Sequence, residues 1–329
     1  MRRRGFLRAL CATGQVAKGV TMGRQRRWIS PRGATRRQVD ALIVGHITRD
    51  LLADGSWRPG GAAFYAAAAA QRFGLRVGVV TSAPADLCAV AVAALGDVAL
   101  VAVASEAATT FENVYTPAGR VQYVRALAQP ITLDDIPRAW RRCDIALLAP
   151  VARECVPALA YGLTARVSGA APQGWLRQWG EDGRVRPRLL GSAERDALRA
   201  FSALILSHED LTGPTSDAAS LAEAAQTLAQ WSQLVPLIAV TRGPEGADLW
   251  RGGDPTRFPG YPAREVDPTG AGDIFAATFL CALARDGDPA RAMDQANRVA
   301  ALAVEGVGVA AIPTPSLVAT RFPHERTGG

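Results

Sequence analysis

The chain has 329 residues, of which 49% are hydrophobic, so it is long enough for one large domain with a sizeable core. It lacks the run of about 18 uninterrupted apolar residues that a membrane-spanning helix requires. The five cysteines are scattered without CxxC spacing, and only three histidines are present, which argues against a disulfide framework and a histidine-based metal centre. We expect a cytoplasmic protein with reduced thiols.

The net charge of +7 is concentrated at the amino terminus. Residues 1–38 contain ten Arg, one Lys and no acidic residue, whereas the remainder carries 26 basic and 30 acidic side chains, a net charge of −4. The body of the protein is therefore mildly acidic, and we expect no nucleic-acid-binding face on it. We predict a basic, disordered extension at residues 1–38 and a single domain at residues 39–329.

The basic extension has three interpretations. Residues 3–8 resemble a twin-arginine export signal, but Gln15 and Lys18 interrupt the apolar stretch that such a signal needs. A second interpretation is a basic arm that touches nucleic acid or a membrane surface. We favour the third, in which the segment is disordered or translation starts at Met22.

The body of the chain alternates between predicted strands and helices. An apolar run at residues 39–44 is followed by Gly60-Gly61, an Ala-rich helix at residues 62–73 and a buried strand at residues 75–80. This β–loop–helix–β order predicts a doubly wound α/β domain with crossover helices. Further predicted elements are strands at 98–103, 145–148, 203–206 and 237–241, helices at 220–231 and 272–284, and an antiparallel hairpin at 111–125.

The most informative motif is Asp267-Pro268-Thr269-Gly270-Ala271-Gly272-Asp273. Its glycines let the backbone turn tightly and bring N–H groups close to a ligand. The apolar segment that follows predicts a helix, whose first turn offers unpaired N–H groups and a positive dipole end to phosphate charge. Asp273 lies in that turn and can accept a proton from a hydroxyl that attacks a γ-phosphate. The alternative is a Gly-rich turn with Asp273 as a helix-favouring acid.

Together with Gly60-Gly61, this motif resembles the two signature regions of the ribokinase-like (PfkB) carbohydrate kinases, and the similarity extends over nearly all of residues 39–315. The resemblance implies a three-layer, doubly wound α/β fold with a mostly parallel sheet and helices on both faces. It also implies ATP-dependent phosphoryl transfer to a hydroxyl of a sugar or cyclitol. In that reaction Asp273 would be the general base, and Gly270, Ala271 and Gly272 would form the anion hole.

The resemblance also implies a donor side. Segment 241–246 matches the strand and turn that line the ATP site, and Asn297 matches the helix position that borders the adenine pocket. The implied nucleotide-binding residues are Thr241, Gly243, Gly246, Thr269 and Asn297. The family's NxxE motif, which organises water around Mg²⁺, is degraded to Ser207-His208-Glu209-Asp210. Asp210 matches its Glu, and Glu209 is a rival. The loop at residues 306–309 could host a monovalent cation, which activates some members of this family.

On the acceptor side, Asp50 follows the first strand, where open α/β sheets bind ligands, and its carboxylate can grip two vicinal hydroxyls. Gly60 and Gly61 lie close behind it in the sequence. Larger sugar kinases have Asn at the position of Tyr65, which we predict, together with Gly60 and Gly61, as a substrate-binding residue. The nine residues between Asp50 and Gly60 predict a reduced or absent β-lid, which resembles a lid-poor branch that includes myo-inositol kinases. By that resemblance, the further polyol contacts are Glu112, Asn113, Gln173 and Arg177.

Two other functions compete with this interpretation. A nucleoside kinase on the same fold would need an apolar slot for the base, which Phe64 or Tyr65 could supply. A non-catalytic sugar sensor could bind DNA through the basic extension. In every case we expect a small-molecule ligand, no membrane partner, and a monomer or homodimer.

Overall fold

The structure is a computed structural model that describes residues 27–30, 38–52, 54–116, 119–213 and 217–323. Its strands are β1 (Arg27–Ile29), β2 (Ala41–Val44), β3 (Thr48–Leu51), β4 (Trp57–Gly60), β5 (Val77–Ala83), β6 (Ala99–Ala104), β7 (Thr110–Thr116), β8 (Gly119–Ala126), β9 (Arg142–Leu148), β10 (Thr164–Ala170), β11 (Arg177–Gln178), β12 (Arg186–Pro187), β13 (Ala203–Ser207), β14 (Leu237–Thr241), β15 (Gly246–Arg251) and β16 (Asp254–Pro259). Its α-helices are α1 (Ala62–Arg72), α2 (Ala85–Leu95), α3 (Ser192–Ala197), α4 (Glu209–Thr212), α5 (Ala218–Trp231), α6 (Ala271–Asp286), α7 (Pro289–Ala303) and α8 (Pro315–Arg321).

The main sheet has ten strands within the described residues, in the order β1-β6-β5-β2-β9-β10-β13-β14-β15-β16. All pairings from β6 to β14 are parallel, and the outer strands β1, β15 and β16 pair antiparallel. The mostly parallel doubly wound sheet that the sequence predicts is therefore confirmed. The strand order reverses between β2 and β9, and such a switch point is where α/β sheets open a ligand crevice at their carboxyl ends.

Strand β1 lies inside the segment that we predicted as an extension outside the domain. Arg27–Ile29 pairs with Val101–Val103 of β6, and the buried Ser30 exchanges hydrogen bonds with the backbone of Leu100. The pairing uses the free backbone groups of an open sheet edge, which require no apolar pattern in the added strand. Residues 3–8, Gln15, Lys18 and Met22 lie outside the described residues.

A second sheet has the order β4-β3-β7-β8. The predicted hairpin at 111–125 is confirmed as β7 and β8, although residues 117–118 of its turn lie outside the described residues. We expected a reduced or absent lid because the Asp50–Gly60 segment is short. That segment forms only β3 and β4, but β3 pairs in parallel with β7, so the hairpin completes a four-stranded sheet. The sequence pattern did not predict this pairing of β3 with β7, because the two strands are distant in the chain.

The predicted helices at 62–73, 220–231 and 272–284 correspond to α1, α5 and α6. Helix α1 is buried from Ala62 to Ala70, and its small side chains let α6 pack closely against it. Gly61 precedes α1 with φ 91°, and a Cβ there would lie 2.5 Å from the carbonyl oxygen of His46. A glycine is thus required where the chain enters this helix. None of the described helices is both long and apolar enough to span a bilayer.

Candidate active site

The loop before α6 is the segment that we predicted as a cradle for an anion. Gly270 has φ 81° and caps the helix, while the N–H of Ala271 is bonded to Pro268 O at 3.1 Å. By helix geometry, the N–H groups of Gly272 and Asp273 have no partner within the helix, and they lie at the positive end of its dipole. These donors suit a transferring phosphoryl group.

Asp273, the predicted general base, lies beside this cradle. Burial raises the pKa of its carboxyl to about 7, an effect that Arg177 opposes and that the carboxylates of Asp210 and Asp50 reinforce. A carboxylate with this pKa is a far better proton acceptor near neutral pH than an ordinary Asp. The structure thus brings together three predicted site residues from three distant parts of the chain with a fourth, Arg177.

Arg177 is the cation that these three carboxylates share. Its charge offsets part of the rise in pKa that burial causes at Asp50, Asp210 and Asp273. The guanidinium lies 5.7 Å from the ring centroid of Phe111 and donates to Val151 O at 3.4 Å. We predicted Arg177 as a polyol contact, and its location next to Asp273 adds an electrostatic effect that the sequence did not suggest.

Asp50 lies on β3, directly opposite Arg58 of β4. It accepts a hydrogen bond from Thr48 Oγ1 at 2.9 Å. Burial raises the pKa of its carboxyl, although the Thr48 bond and the charges of Arg58 and Arg177 partly offset this. A Cβ on Gly60 would lie 2.1 Å from Asp50 Oδ2, so the glycine is needed for the carboxylate to fit here.

Arg58 was not singled out from the sequence. Its Nη1 donates to Asp267 Oδ2 at 2.8 Å and its Nη2 donates to Thr269 Oγ1 at 3.0 Å. Thr269, which we predicted on the nucleotide side, therefore has its hydroxyl bonded to the second sheet. An arginine two residues before a Gly-Gly pair carries no distinctive local signal, and its partners are more than 200 residues away.

The two candidate magnesium residues occupy different environments. Asp210 accepts a hydrogen bond from Ser207 N at 2.9 Å and another from the side chain of Gln173, whereas Glu209 is exposed. Burial raises the pKa of Asp210, and the nearby charge of Arg177 opposes the rise.

Among the described residues no group of three or more His, Cys, Asp or Glu forms a metal cage. Mg²⁺ that keeps several waters needs only one or two carboxylates plus substrate phosphates, and Asp210 suits that role.

Two predicted polyol residues have other partners. Glu112 forms a 2.6 Å ion pair with Arg125, and Asn113 accepts a hydrogen bond from Gln122 at 3.0 Å. Both lie on β7 and bond to residues of β8. Gln173, by contrast, joins the Asp210–Arg177 group.

On the predicted donor side, Thr241 ends β14, and Gly243 and Gly246 both adopt positive φ in the turn that follows. Asn297 is buried on α7, and its amide nitrogen donates to the carbonyls of Phe258 and Pro259, both at 3.2 Å. Asn297 therefore holds the end of β16 against α7. These residues remain predicted nucleotide contacts.

A buried carboxylate at the switch point was also missed. Glu154 is 4% exposed and accepts hydrogen bonds from the backbone N–H groups of His46, Val151 and Ala152 at 2.7 to 3.0 Å. It thereby joins the segments that follow β2 and β9. Three convergent backbone N–H donors satisfy the hydrogen-bonding capacity of this buried carboxyl group. The sequence gives little indication of this role, because Glu154 follows a Pro-containing loop and belongs to no recognisable motif.

Comparisons with known proteins bear on this geometry. The fold is similar to that of ribokinase-like α/β proteins. More particularly, residues 180–317 match the model of the pfkB family carbohydrate kinases. A pyrophosphate-dependent kinase in the ribokinase family, solved with a pyrophosphate analog and myo-inositol, superposes with a TM-score of 0.68 at 19% identity, covering 86% of this chain and 100% of that one. Ribokinase from Arabidopsis thaliana, solved with ribose and ATP, gives a TM-score of 0.62 at 20% identity, covering 86% and 98%.

Among curated proteins, an ATP-dependent ribose-1-phosphate kinase from Halopiger xanaduensis is 38% identical over 90 residues, which are 27% of this chain and 30% of that protein. The chain spans roughly a third of the length of the curated relatives that it matches. The structural matches lie below 25% identity, so they establish the fold alone. The predicted resemblance to the ribokinase-like (PfkB) family is confirmed by the family match and by this fold.

Proposed function

We propose that the protein is a kinase that transfers the γ-phosphoryl group of Mg-ATP to a hydroxyl of a sugar or cyclitol, with a myo-inositol-like polyol favoured. One observation carries the proposal. Asp273 lies beside the N–H groups at the start of α6, with Asp50 nearby, and desolvation raises the pKa of its carboxyl to about 7. A base, an anion site and a polyol-gripping carboxylate are the parts that direct phosphoryl transfer requires.

In the proposed mechanism, Asp50 accepts hydrogen bonds from the acceptor and orients one hydroxyl toward Asp273. Asp273 takes the proton of that hydroxyl as the oxygen bonds to the γ-phosphorus, and the bond from this phosphorus to the β,γ-bridging oxygen breaks so that ADP leaves. The N–H groups of Gly272 and Asp273 and the charge of Arg177 stabilise the negative charge that develops. Mg²⁺, bound through water and Asp210, would neutralise donor phosphate charge. No covalent enzyme intermediate is required.

The composition of the acceptor side supports a polyol. Asp50, Gln173 and Arg177 supply acceptors and donors in one region, as a molecule with several hydroxyls needs. The solved relative bound to myo-inositol has the same fold. A nucleoside acceptor gains little support, because Phe64 and Tyr65 are 3% and 2% exposed and pack edge to face against each other. Neither ring leaves an open slot for a base.

The test is product formation from Mg-ATP with a panel of sugars, cyclitols and nucleosides, with Asp273→Asn as the control. The proposal is supported if the wild type phosphorylates myo-inositol or a sugar and the variant largely loses this activity. Selective turnover of a nucleoside would change the proposed acceptor from a polyol to a nucleoside, and Asp273 would remain the proposed general base. If no acceptor reacts while sugars still bind to both proteins, the sensor interpretation gains support and the kinase proposal fails.

The donor is tested in the same assay by replacing ATP with pyrophosphate, since a relative with this fold is pyrophosphate-dependent. Turnover with pyrophosphate alone would overturn the proposed ATP preference without affecting the acceptor class. Exchanging K⁺ for Na⁺ tests the proposed monovalent cation at residues 306–309.

A further inference from the structure

Arg58 connects the two halves of the candidate site. It lies on β4 of the second sheet, opposite Asp50 in the antiparallel register, so both side chains share one face of that sheet. The same guanidinium donates to Asp267 and Thr269, which open the loop that forms the phosphate cradle. One side chain thus contacts the donor loop and neighbours the acceptor carboxylate.

The hydrogen bonds from Arg58 hold residues 267–269, the part of the loop that positions the cradle. Asp267 Oδ1 accepts the N–H of Thr269 at 3.0 Å, and Asp267 Oδ2 accepts from Arg58. Burial works against ionisation of Asp267, but the bonds from Thr269 and Arg58 outweigh it and lower the pKa. The carboxylate therefore stays charged and keeps both partners. Gly270 follows directly, so a shift of residues 267–269 moves the cradle.

The ion pair is sheltered from solvent. The side chains of Arg58 and Asp267 are 29% and 14% exposed, and Arg58 Nε is buried with no hydrogen-bond partner among the described residues. A pair in such surroundings is screened less than a surface ion pair.

We propose that Arg58 is a positioning residue that couples the acceptor side to the donor side of the site. A polyol that binds at Asp50 orders β3 and β4, and the Arg58–Asp267 ion pair transmits this order to the cradle. Acceptor binding then tightens donor binding, and by linkage the donor tightens acceptor binding by the same factor. The inference rests on the proposed kinase function.

Another arginine provides a matched control. Arg49 lies on the same sheet, on β3, and forms a 2.5 Å ion pair with Asp86 of α2. It also lies 4.7 Å from the ring centroid of Trp57. Arg49 thus tethers the second sheet to the body of the protein without contacting the phosphate loop. Arg49→Met reports the effect of loosening the sheet, and Arg58→Met reports the additional effect of releasing the loop.

The experiment uses the full-length protein and measures binding of Mg·AMP-PNP with and without saturating myo-inositol, or the acceptor that the activity assay identifies. In the wild type the acceptor should tighten donor binding about fivefold or more. In Arg58→Met this factor should fall to about one, and kcat should fall about a hundredfold because the cradle is misplaced. Arg58→Lys should recover part of both, and Arg49→Met should keep the coupling.

A double-mutant cycle separates the ion pair from a general loss of stability. Asp267→Asn should lower the coupling as Arg58→Met does, and the double variant should lose little more than either single one. The proposal is overturned if Arg58→Met retains the wild-type coupling factor, if Arg49→Met loses it equally, or if the wild type shows no coupling at all.

Hydrogen exchange gives a readout that does not depend on kinase activity. In the free protein, the backbone amides of residues 267–273 should exchange faster in Arg58→Met than in the wild type, and at the wild-type rate in Arg49→Met. Faster exchange in Arg58→Met with no turnover of any acceptor would refute the kinase function but keep the Arg58–loop connection. Unchanged exchange together with normal turnover would refute the positioning role alone.

Discussion

Gly270 and Tyr65 approach so closely that no side chain fits between them. A Cβ on Gly270 would lie 2.3 Å from Cγ of the Tyr65 ring, and the glycine has φ 81°. Tyr65 thus forms the wall behind the phosphate cradle, where larger sugar kinases have Asn according to the predicted resemblance. Burial raises the pKa of its hydroxyl, which stays neutral at physiological pH.

This contact predicts the effect of Gly270→Ala. The strained backbone and the collision with the Tyr65 ring should together lower the free energy of unfolding by about 3 kcal/mol. The matched control is Gly272→Ala, because a Cβ there meets nothing within 4 Å. Urea unfolding of both variants checks the prediction. Equal stability of the two would show that the cradle backbone adapts readily.

Asp273→Asn should reduce kcat by about 10² to 10⁴-fold, the usual contribution of a general base. In the wild type, kcat/KM should rise with pH through an apparent pKa of about 7, because Asp273 must be ionised to accept a proton. The measurement is a pH–rate profile with the best acceptor. A profile that is flat between pH 5.5 and 8.5, once the ionisation of the donor phosphates is accounted for, would contradict the assignment of Asp273 as the base.

The same pKa predicts how stability depends on pH. The folded-state value of about 7 lies above the ordinary 3.8, so folding disfavours the ionised carboxylate. The cost is absent below pH 3.8, grows as pH rises and is complete above about 7. Relative to the wild type, Asp273→Asn should therefore become more stable between pH 5 and pH 8. Urea unfolding of both proteins across this pH range is the measurement, and a stability difference that does not change with pH would contradict the prediction.

Arg177→Met should shift the acid limb of the pH–rate profile to higher pH. Removing the guanidinium removes a charge that lowers the pKa of Asp273 and Asp50. A residue that only contacts the polyol would raise KM and leave the limb in place. The control is Arg153→Met, because Arg153 is exposed and stacks on Trp179 at 4.5 Å. That variant should leave the limb unchanged.

Substitutions at Asp210 and Glu209 should differ in how they change the Mg²⁺ dependence of the activity. Asp210→Asn should raise the Mg²⁺ concentration for half-maximal activity about tenfold, as loss of an indirect metal contact does. Glu209→Gln should leave it unchanged, since Glu209 is exposed. The measurement is turnover against free Mg²⁺ at fixed ATP. A larger effect at Glu209 would reverse the assignment.

The glycine turn and the helix start that follows it were predictable because their determinants are local. Gly270, Gly272 and the apolar helix that follows are neighbours in the chain, so turn formation, helix start and the placement of Asp273 depend on adjacent residues. The Ala-rich helix α1 and the parallel strands were predictable for the same reason, since propensity and apolar runs identify them without long-range information.

Long-range pairing required the structure. The four-stranded second sheet depends on β3 meeting β7, and β1 joins an edge that its own residues do not specify. In each case the backbone groups that pair are the same in every sequence, so the sequence shows that a strand can form but not which edge it meets.

The sequence alone determined the family resemblance, the phosphate cradle and the candidate base, because these are set by contiguous residues with distinctive backbone requirements. Only the tertiary structure decided how charges group around them. Arg177 is shared by Asp50, Asp210 and Asp273, and Arg58 bonds to Asp267 across 209 positions. Burial and nearby charges shift a pKa through space, and the distance between two residues along the chain indicates neither.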